Sequence, residues 1–546
     1  MTPGSEERRE HTGPRRHTRR AVLAGGAAIA AGSAAAATMA VTLGGESEET
    51  PDVTGTESPA AAADATGVAP TATAATLADP DLPIESPYLR AAHLLRRAGF
   101  GGSRAEIEEF AALSREEAAS RLLDYGIIAN TALDERIVGG GFELVYGQGL
   151  RTDMVRWWLT RMAYTARPLE ERMTLLWHGW LVSQVSQLNG ALAGYMVRQI
   201  DLFREMALPI HDELVQAVSK DPAMMLYLNT AQSDPDHPNE NYARELMELF
   251  TMGVDTYTED DVREAARAFT GWRFSQPPRS MLTGDQEADR ELRATWNPEF
   301  FKAPQRQDRG EKTFLGQTGA WDGEDIVRII EEQIATGEFV ARRLFREFVH
   351  DTPSEADVAA LVEAWDSSGH DIREVLRTIL VSDVFYSQAA YRAKIRSPVE
   401  LLVGLVRGLE IETEFRIDVR TAETMGQVLF DPPNVAGWPG GPAWLSSGTL
   451  FARANFVDGL FGGSRGLPGR RQRDRVVNGG LVPPALLGQA SAEDMVDTAL
   501  TALVDGNVPE TSREAIVEAA VRIDDEQERA QTVAYLVACS PEYQLV

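Results

Sequence analysis

Three glutamates, Glu240, Glu245 and Glu248, and three arginines, Arg244, Arg263 and Arg267, fall within one short stretch. It reads NENYARELMELFTMGVDTYTEDDVREAARAFTGW, from Asn239 to Trp272. These are residue types that acid–base work on a charged or polymeric substrate needs. A carboxylate can take or give a proton, and a guanidinium can hold an anion through paired hydrogen bonds. Three readings compete. The charges form a solvated face with weak pairs, since Glu240, Arg244 and Glu248 recur every four residues on one helical face. Or other helices cover them and they form a structural ion-pair lattice. Or they line a cleft in which Glu245 or Glu240 acts as base and the arginines clamp the substrate. Spacing alone favours the solvated face.

Other residues carry chemistry in a second rank. His178 sits in a stretch apolar nearly all round, which fits a hydrogen-bonded core histidine better than a catalytic base. His93 shares a face with Leu89, Arg96 and Arg97, which places it near the surface or an acidic partner such as the charged stretch. The segment FDPPNVAGWPGGPAWLSS (Phe430–Ser447) describes a rigid loop. There Asp431 can pair with an arginine of the charged stretch. Trp438 and Trp444 either stack on sugar rings or plug the helical core. Asp234, Asp236, His237 and Glu240 loosely suggest a calcium loop, but the glycine an EF-hand needs at its turn is missing, so no metal ligand is assigned. The GGSRG at Gly462–Gly466 matches a nucleophile elbow only formally, since no strand precedes Ser464. No phosphate-binding loop or dinucleotide fingerprint is present.

The elements that must position these residues are helices. Ser86 before Pro87, and the boxes opening at Ser103 and Ser114, are helix starts. Helical periodicity marks LRTDMVRWWLTRMAYTA, PLEERMTLLWHGWLVSQVSQL, PIHDELVQAVS, DPAMMLYLNT and most later segments to the C-terminus. The charged stretch reads as an αα-hairpin stopped at Gly253 and Gly271. Its apolar faces are Tyr242, Ala243, Leu246, Met247, Leu249 and Phe250, then Val262, Ala265, Ala266 and Phe269. FFKAP and KTFLGQTG interrupt the pattern as a small β-hairpin excursion around 273–320. The fold class is mostly α, a large multi-helix assembly. Residues 85–546 read as a single large helical domain, loop-rich over 462–488.

The first 43 residues read as a twin-arginine signal peptide. Arg19 and Arg20 precede Val22, Leu23 and an Ala/Gly-rich stretch too weakly apolar for an anchor. Residues 44–84, rich in Ala, Thr, Pro, Gly and acid, read as a disordered linker. The expectation is export to the cell envelope or beyond, with no stable membrane insertion once the signal is removed. Of 546 residues, 53 are basic and 82 acidic, a net charge of −29. Such a surface repels nucleic-acid phosphates. The lone Cys539 excludes an internal disulfide.

The charged stretch, with AHLLRRAGFGGSRAEI, RMTLLWHGWLVSQ, DPAMMLYL, KTFLGQTG and LFDPPNVAGWPGGPAWL, resembles the bacterial domain-of-unknown-function family 1800 across residues 86–546. The resemblance implies a large, helical and often exported protein, without an established reaction. It also implies a possible partner, since the family often accompanies a sulfatase-like protein. Two departures stand out. The family tends to carry Trp-His-x-His-Phe where this chain has Trp177-His178-Gly179-Trp180-Leu181, and His-Asp where it has Gln307-Asp308. A shared histidine metal site is therefore not expected. Two functions follow as expectations. One is a hydrolase-type enzyme acting on an extracellular or cell-envelope polymer. The other is a non-catalytic binding or assembly partner of the sulfatase-like protein.

Overall fold

Serine, threonine or aspartate caps start most of the helices, and each cap works because a short oxygen accepts an otherwise orphaned backbone N–H. Ser86 accepts from Leu89 N, with Pro87 opening the helix Pro87–Arg97. Ser114 and Glu117 close a complete capping box. At Ser103 only half of the expected box forms. Glu106 instead meets Arg407 at 3.0 and 3.1 Å, because a guanidinium is the stronger partner.

The computed structural model describes residues 83–139, 142, 150–188, 192–415, 423–462 and 480–546. The signal peptide, the linker to residue 82 and most of the GGSRG segment lie outside the described residues. Those described belong to one compact unit, Ala74–Val546. Among them are 21 α-helices and two small two-stranded antiparallel sheets. The core is rich in tryptophan, with Trp158, Trp177, Trp180, Trp272 and Trp365 essentially sealed.

The β excursion is present as two ladders rather than one. FFK of Phe300–Lys302 pairs with Trp272–Phe274, at the end of the charged hairpin. KTF of Lys312–Phe314 turns back on Gln317–Gly319. Leu315 and Gly316 both take positive φ at that turn, +45° and +79°, as a two-residue hairpin of this hand requires. A helix, Gln286–Thr295, lies within the same excursion.

The histidine-bearing helix runs only from Pro168 to Trp180. Periodicity predicts continuation to Leu188, but the tryptophan loop competes for that backbone. Val185 N donates to Phe430 O at 2.8 Å, and Gln184 donates to Pro432 O. No helix among the described residues is long and apolar enough to cross a membrane.

Candidate functional site

The charged hairpin begins as expected and then departs from regularity. Asn239 caps the helix Glu240–Glu245, and Leu246–Thr251 continues it as a π-helix. Met252 N and Gly253 N both donate to Met247 O at 2.9 Å, and Thr251 Oγ1 donates to Leu246 O. A π-turn inserted in a helix is common at functional sites. The second helix, Glu259–Ala268, starts at a Thr258–Asp261 capping box. The apolar faces are buried as the wheel predicts, except that Leu249 is only half-buried.

The arginines do not form an anion clamp. Arg244 holds Glu259 at 2.7 and 2.8 Å and reaches Glu240 at 3.4 Å. Arg263 pairs with its neighbour Asp260, and both are exposed. Arg267 turns away to Asp308 at 2.7 Å and Glu264 at 2.6 Å. All three guanidiniums therefore have carboxylate partners on the protein. Glu240 likewise serves Arg244.

Glu245 differs from its neighbours. It is half-buried and makes no hydrogen bond or ion pair with the described residues. Burial raises its pKa and the nearby charge of Glu248 raises it further, against a smaller opposing effect of Arg244. Glu248 itself accepts from the Tyr257 hydroxyl at 2.8 Å. Close by is Tyr227, whose own pKa is pushed up to about 12, first by burial and then by the charges of Glu245 and Asp431. The charges of both carboxylates act on this phenol.

Asp431 enters this cluster from the tryptophan loop. Its carboxylate accepts from Ser186 Oγ at 2.6 Å and Ser186 N at 3.3 Å. Its arginine partner is Arg151, at 3.3 Å, and not an arginine of the hairpin. The hairpin arginines are already engaged, and the loop lands on Ser186 instead. Phe430, just before it, takes a positive φ of +65°, a conformation a bulky residue adopts only when its surroundings enforce it.

His178 enforces it in part. Phe430 N donates to His178 Nε2 at 3.1 Å, so the ring proton sits on Nδ1, which is buried without an acceptor. Burial alone lowers the His178 pKa to about 3. The buried imidazole packs against Trp158 and Trp438 and accepts from Phe430 N, the environment of a hydrogen-bonded core histidine. His93 is corrected. It is buried, with Nε2 at 2.9 Å from Phe385 O, and lies at neither the surface nor the hairpin.

Trp438 and Trp444 are half-buried, and both indole nitrogens are buried without partners. Trp438 lies flat against Gly179, where an added Cβ would sit 3.2 Å from its ring. It plugs the core and offers no open stacking face. Trp444 lies beside Gly426 and Gly440, and its carbonyl accepts from Arg453. The aspartates before the hairpin make a local turn, with His237 N donating to Asp234 Oδ1 at 3.2 Å. Among the described residues no group of three or more His, Cys, Asp or Glu is placed to hold a metal ion.

A buried network under Tyr227 was not visible in the sequence. Asp221 caps the helix Pro222–Tyr227 and accepts from Gln199 Nε2 at 2.6 Å. Gln199 also donates to Ser183 Oγ at 3.0 Å, and its Oε1 has no partner. Desolvation raises the Asp221 pKa to about 7. The Asp-Pro pair announces a cap but carries no sign of its burial.

The model of a family described as a protein of unknown function, DUF1800, matches residues 93–545. The chain belongs to this family. No curated protein and no solved structure matches. The family match spans the hairpin, the histidine helix and the tryptophan loop, so the whole Glu245 cluster lies within it. At the two departures from the family pattern, Trp180 is buried and donates to Phe250 O at 3.0 Å, and Gln307 packs on Gly271. Each fills a packing role where the family tends to place histidine.

Proposed function

We propose that Glu245, Tyr227 and Asp431 line the cleft of a hydrolase acting on a polysaccharide of the extracellular space or cell envelope. The observation that carries this is Glu245, a half-buried acid with a raised pKa and no hydrogen bond to the described residues, whose charge acts on Tyr227 together with that of Asp431. Two carboxylates held apart in this way divide acid and base roles. Glu245 gives a proton to the leaving oxygen; Asp431 takes one from the attacking water, and exchange with solvent restores both groups. Asp431, oriented by Ser186 and Arg151, positions the attacking water. The Tyr227 hydroxyl donates between them.

The test is release of new reducing ends from a panel of purified envelope polysaccharides. Wild-type protein releases them, and Glu245→Gln loses at least about a hundredfold in rate, the range of one general acid–base group, with unchanged melting temperature. Equal rates for the two proteins, or no release by wild type on any polymer, would sink the proposal. The alternative reading makes the protein a non-catalytic partner of a co-exported sulfatase-like protein. It predicts that Glu245→Gln leaves co-purification with that partner intact.

Export by the twin-arginine route belongs to the same proposal, supported by Arg19 and Arg20 ahead of the Ala/Gly-rich stretch. Changing Arg19 and Arg20 together to lysine retains the protein in the cytoplasm; continued export of that variant would refute the route.

A further inference from the structure

A cavity of about 280 Å³ opens beside the helices Pro87–Arg97, Arg104–Ala111 and Arg115–Leu123, lined by none of the Glu245 cluster. Leu94, Phe110, Leu113 and Ala118 supply the apolar part of a mixed lining. Its polar residues are Arg90, Ser114, Arg115 and Tyr386. The Arg115 guanidinium carbon lies 4.6 Å from the Tyr386 ring centroid. Its carboxylate partner, Asp383, is 99% exposed and so weakly held. Arg90 has no carboxylate partner. One of its nitrogens donates to Ile84 O at 3.2 Å and Glu85 O at 2.7 Å. Its remaining donors make no hydrogen bond to the described residues.

Both guanidiniums act on the Tyr386 hydroxyl. They oppose a rise in its pKa that burial dominates and Glu116 assists. Arg115 stacks on the Tyr386 ring, and Arg90 lines the same cavity. Ser114, the cap of the helix Arg115–Leu123, lines the same mouth and brings that helix's positive end to it. A cavity that sets Leu94 and Phe110 beside two arginines is complementary to an anion with a short apolar tail, in a chain whose net charge is −29. A volume of about 280 Å³ suits a small amphiphile.

We infer that this cavity binds a short amphiphilic carboxylate, its tail against Leu94 and Phe110 and its head between Arg90 and Arg115. The inference is independent of the Glu245 cluster. Octanoate, octanol and acetate separate tail from head when their binding to the full chain is followed by ligand-observed NMR. Octanoate is expected to bind at one site, with octanol and acetate each at least about tenfold weaker, the scale of a charge-assisted hydrogen bond. Arg115→Gln weakens octanoate by about tenfold, and Ala111→Trp, which fills the space, abolishes its binding. Absence of octanoate binding to wild type, equal affinity for octanol or for acetate, or octanoate binding unchanged in both variants would overturn it.

Discussion

Two regions of this molecule use the same residue types and obey opposite physics. Around the start of the helix Pro168–Trp180, charges are buried. Glu171, wholly enclosed, accepts from Arg204 at 2.7 Å, Arg161 at 3.0 Å and the Trp158 indole at 3.0 Å. Arg172 joins Glu400 at 2.5 Å and Glu347 at 2.8 Å. In the hairpin Asn239–Trp272 the pairs are exposed or half-exposed. A desolvated ion-pair lattice, one of the readings of the hairpin, exists one helix system away. What remains in the hairpin, among the described residues, is a half-buried acid without a pair, Glu245, besides the exposed Asp255. Buried ions need every partner, whereas solvated ones can spare a partner at little cost.

The largest effect should come from breaking the buried set. Glu400 has its pKa lowered to about 2. Burial alone would raise it, but Arg172 and the Ser397 N–H outweigh that. Glu400→Gln leaves Arg172 buried and half-satisfied, for an expected loss of about 3–5 kcal/mol in denaturant unfolding. The folded pKa lies below the unfolded value, so the Glu400 contribution is present above pH 4.5 and lost as pH falls towards 2. An acid unfolding curve of the variant should be flatter over that window.

Next comes a buried acid with no arginine. The Asp221 pKa is raised, so its relative stability is present below its ordinary value of 3.8 and lost as pH rises through about 7. Asp221→Asn keeps the helix cap and should remove that pH dependence, seen as melting temperatures of variant and wild type that diverge between pH 4 and 7. In the hairpin, Thr258→Ala removes the cap of the second helix and should cost about 1 kcal/mol. Smallest of all, Arg263→Ala removes an exposed neighbour pair and should leave the melting temperature unchanged. A large loss there would erase the contrast between the two regions.

The helical class, the hairpin and its buried faces were legible because periodicity and caps are local. So was Glu245 as a residue of interest, though not its isolation. The π-turn at Leu246–Thr251 was not legible, because a wheel assumes constant pitch and the deviation is set by packing. The early end of the histidine helix at Trp180 was hidden for a related reason. A loop some 250 residues later supplies the competing hydrogen bond at Phe430. Asp431 was found as a site residue from its loop, but its partner Arg151 could not be, since long-range pairing leaves no periodic trace. Burial of charge at Glu171, Glu400 and Asp221 has no local signature either.

The central claim is that Glu245 stands free and desolvated beside Glu248, and its carboxyl can be titrated directly. Carbon-13 NMR of glutamate-labelled protein, with Glu245→Gln assigning the signal, should show Glu245 titrating above 4.5, and Glu248→Gln should bring that value down. A Glu245 signal titrating at or below 4.5, unmoved by Glu248→Gln, would contradict the account.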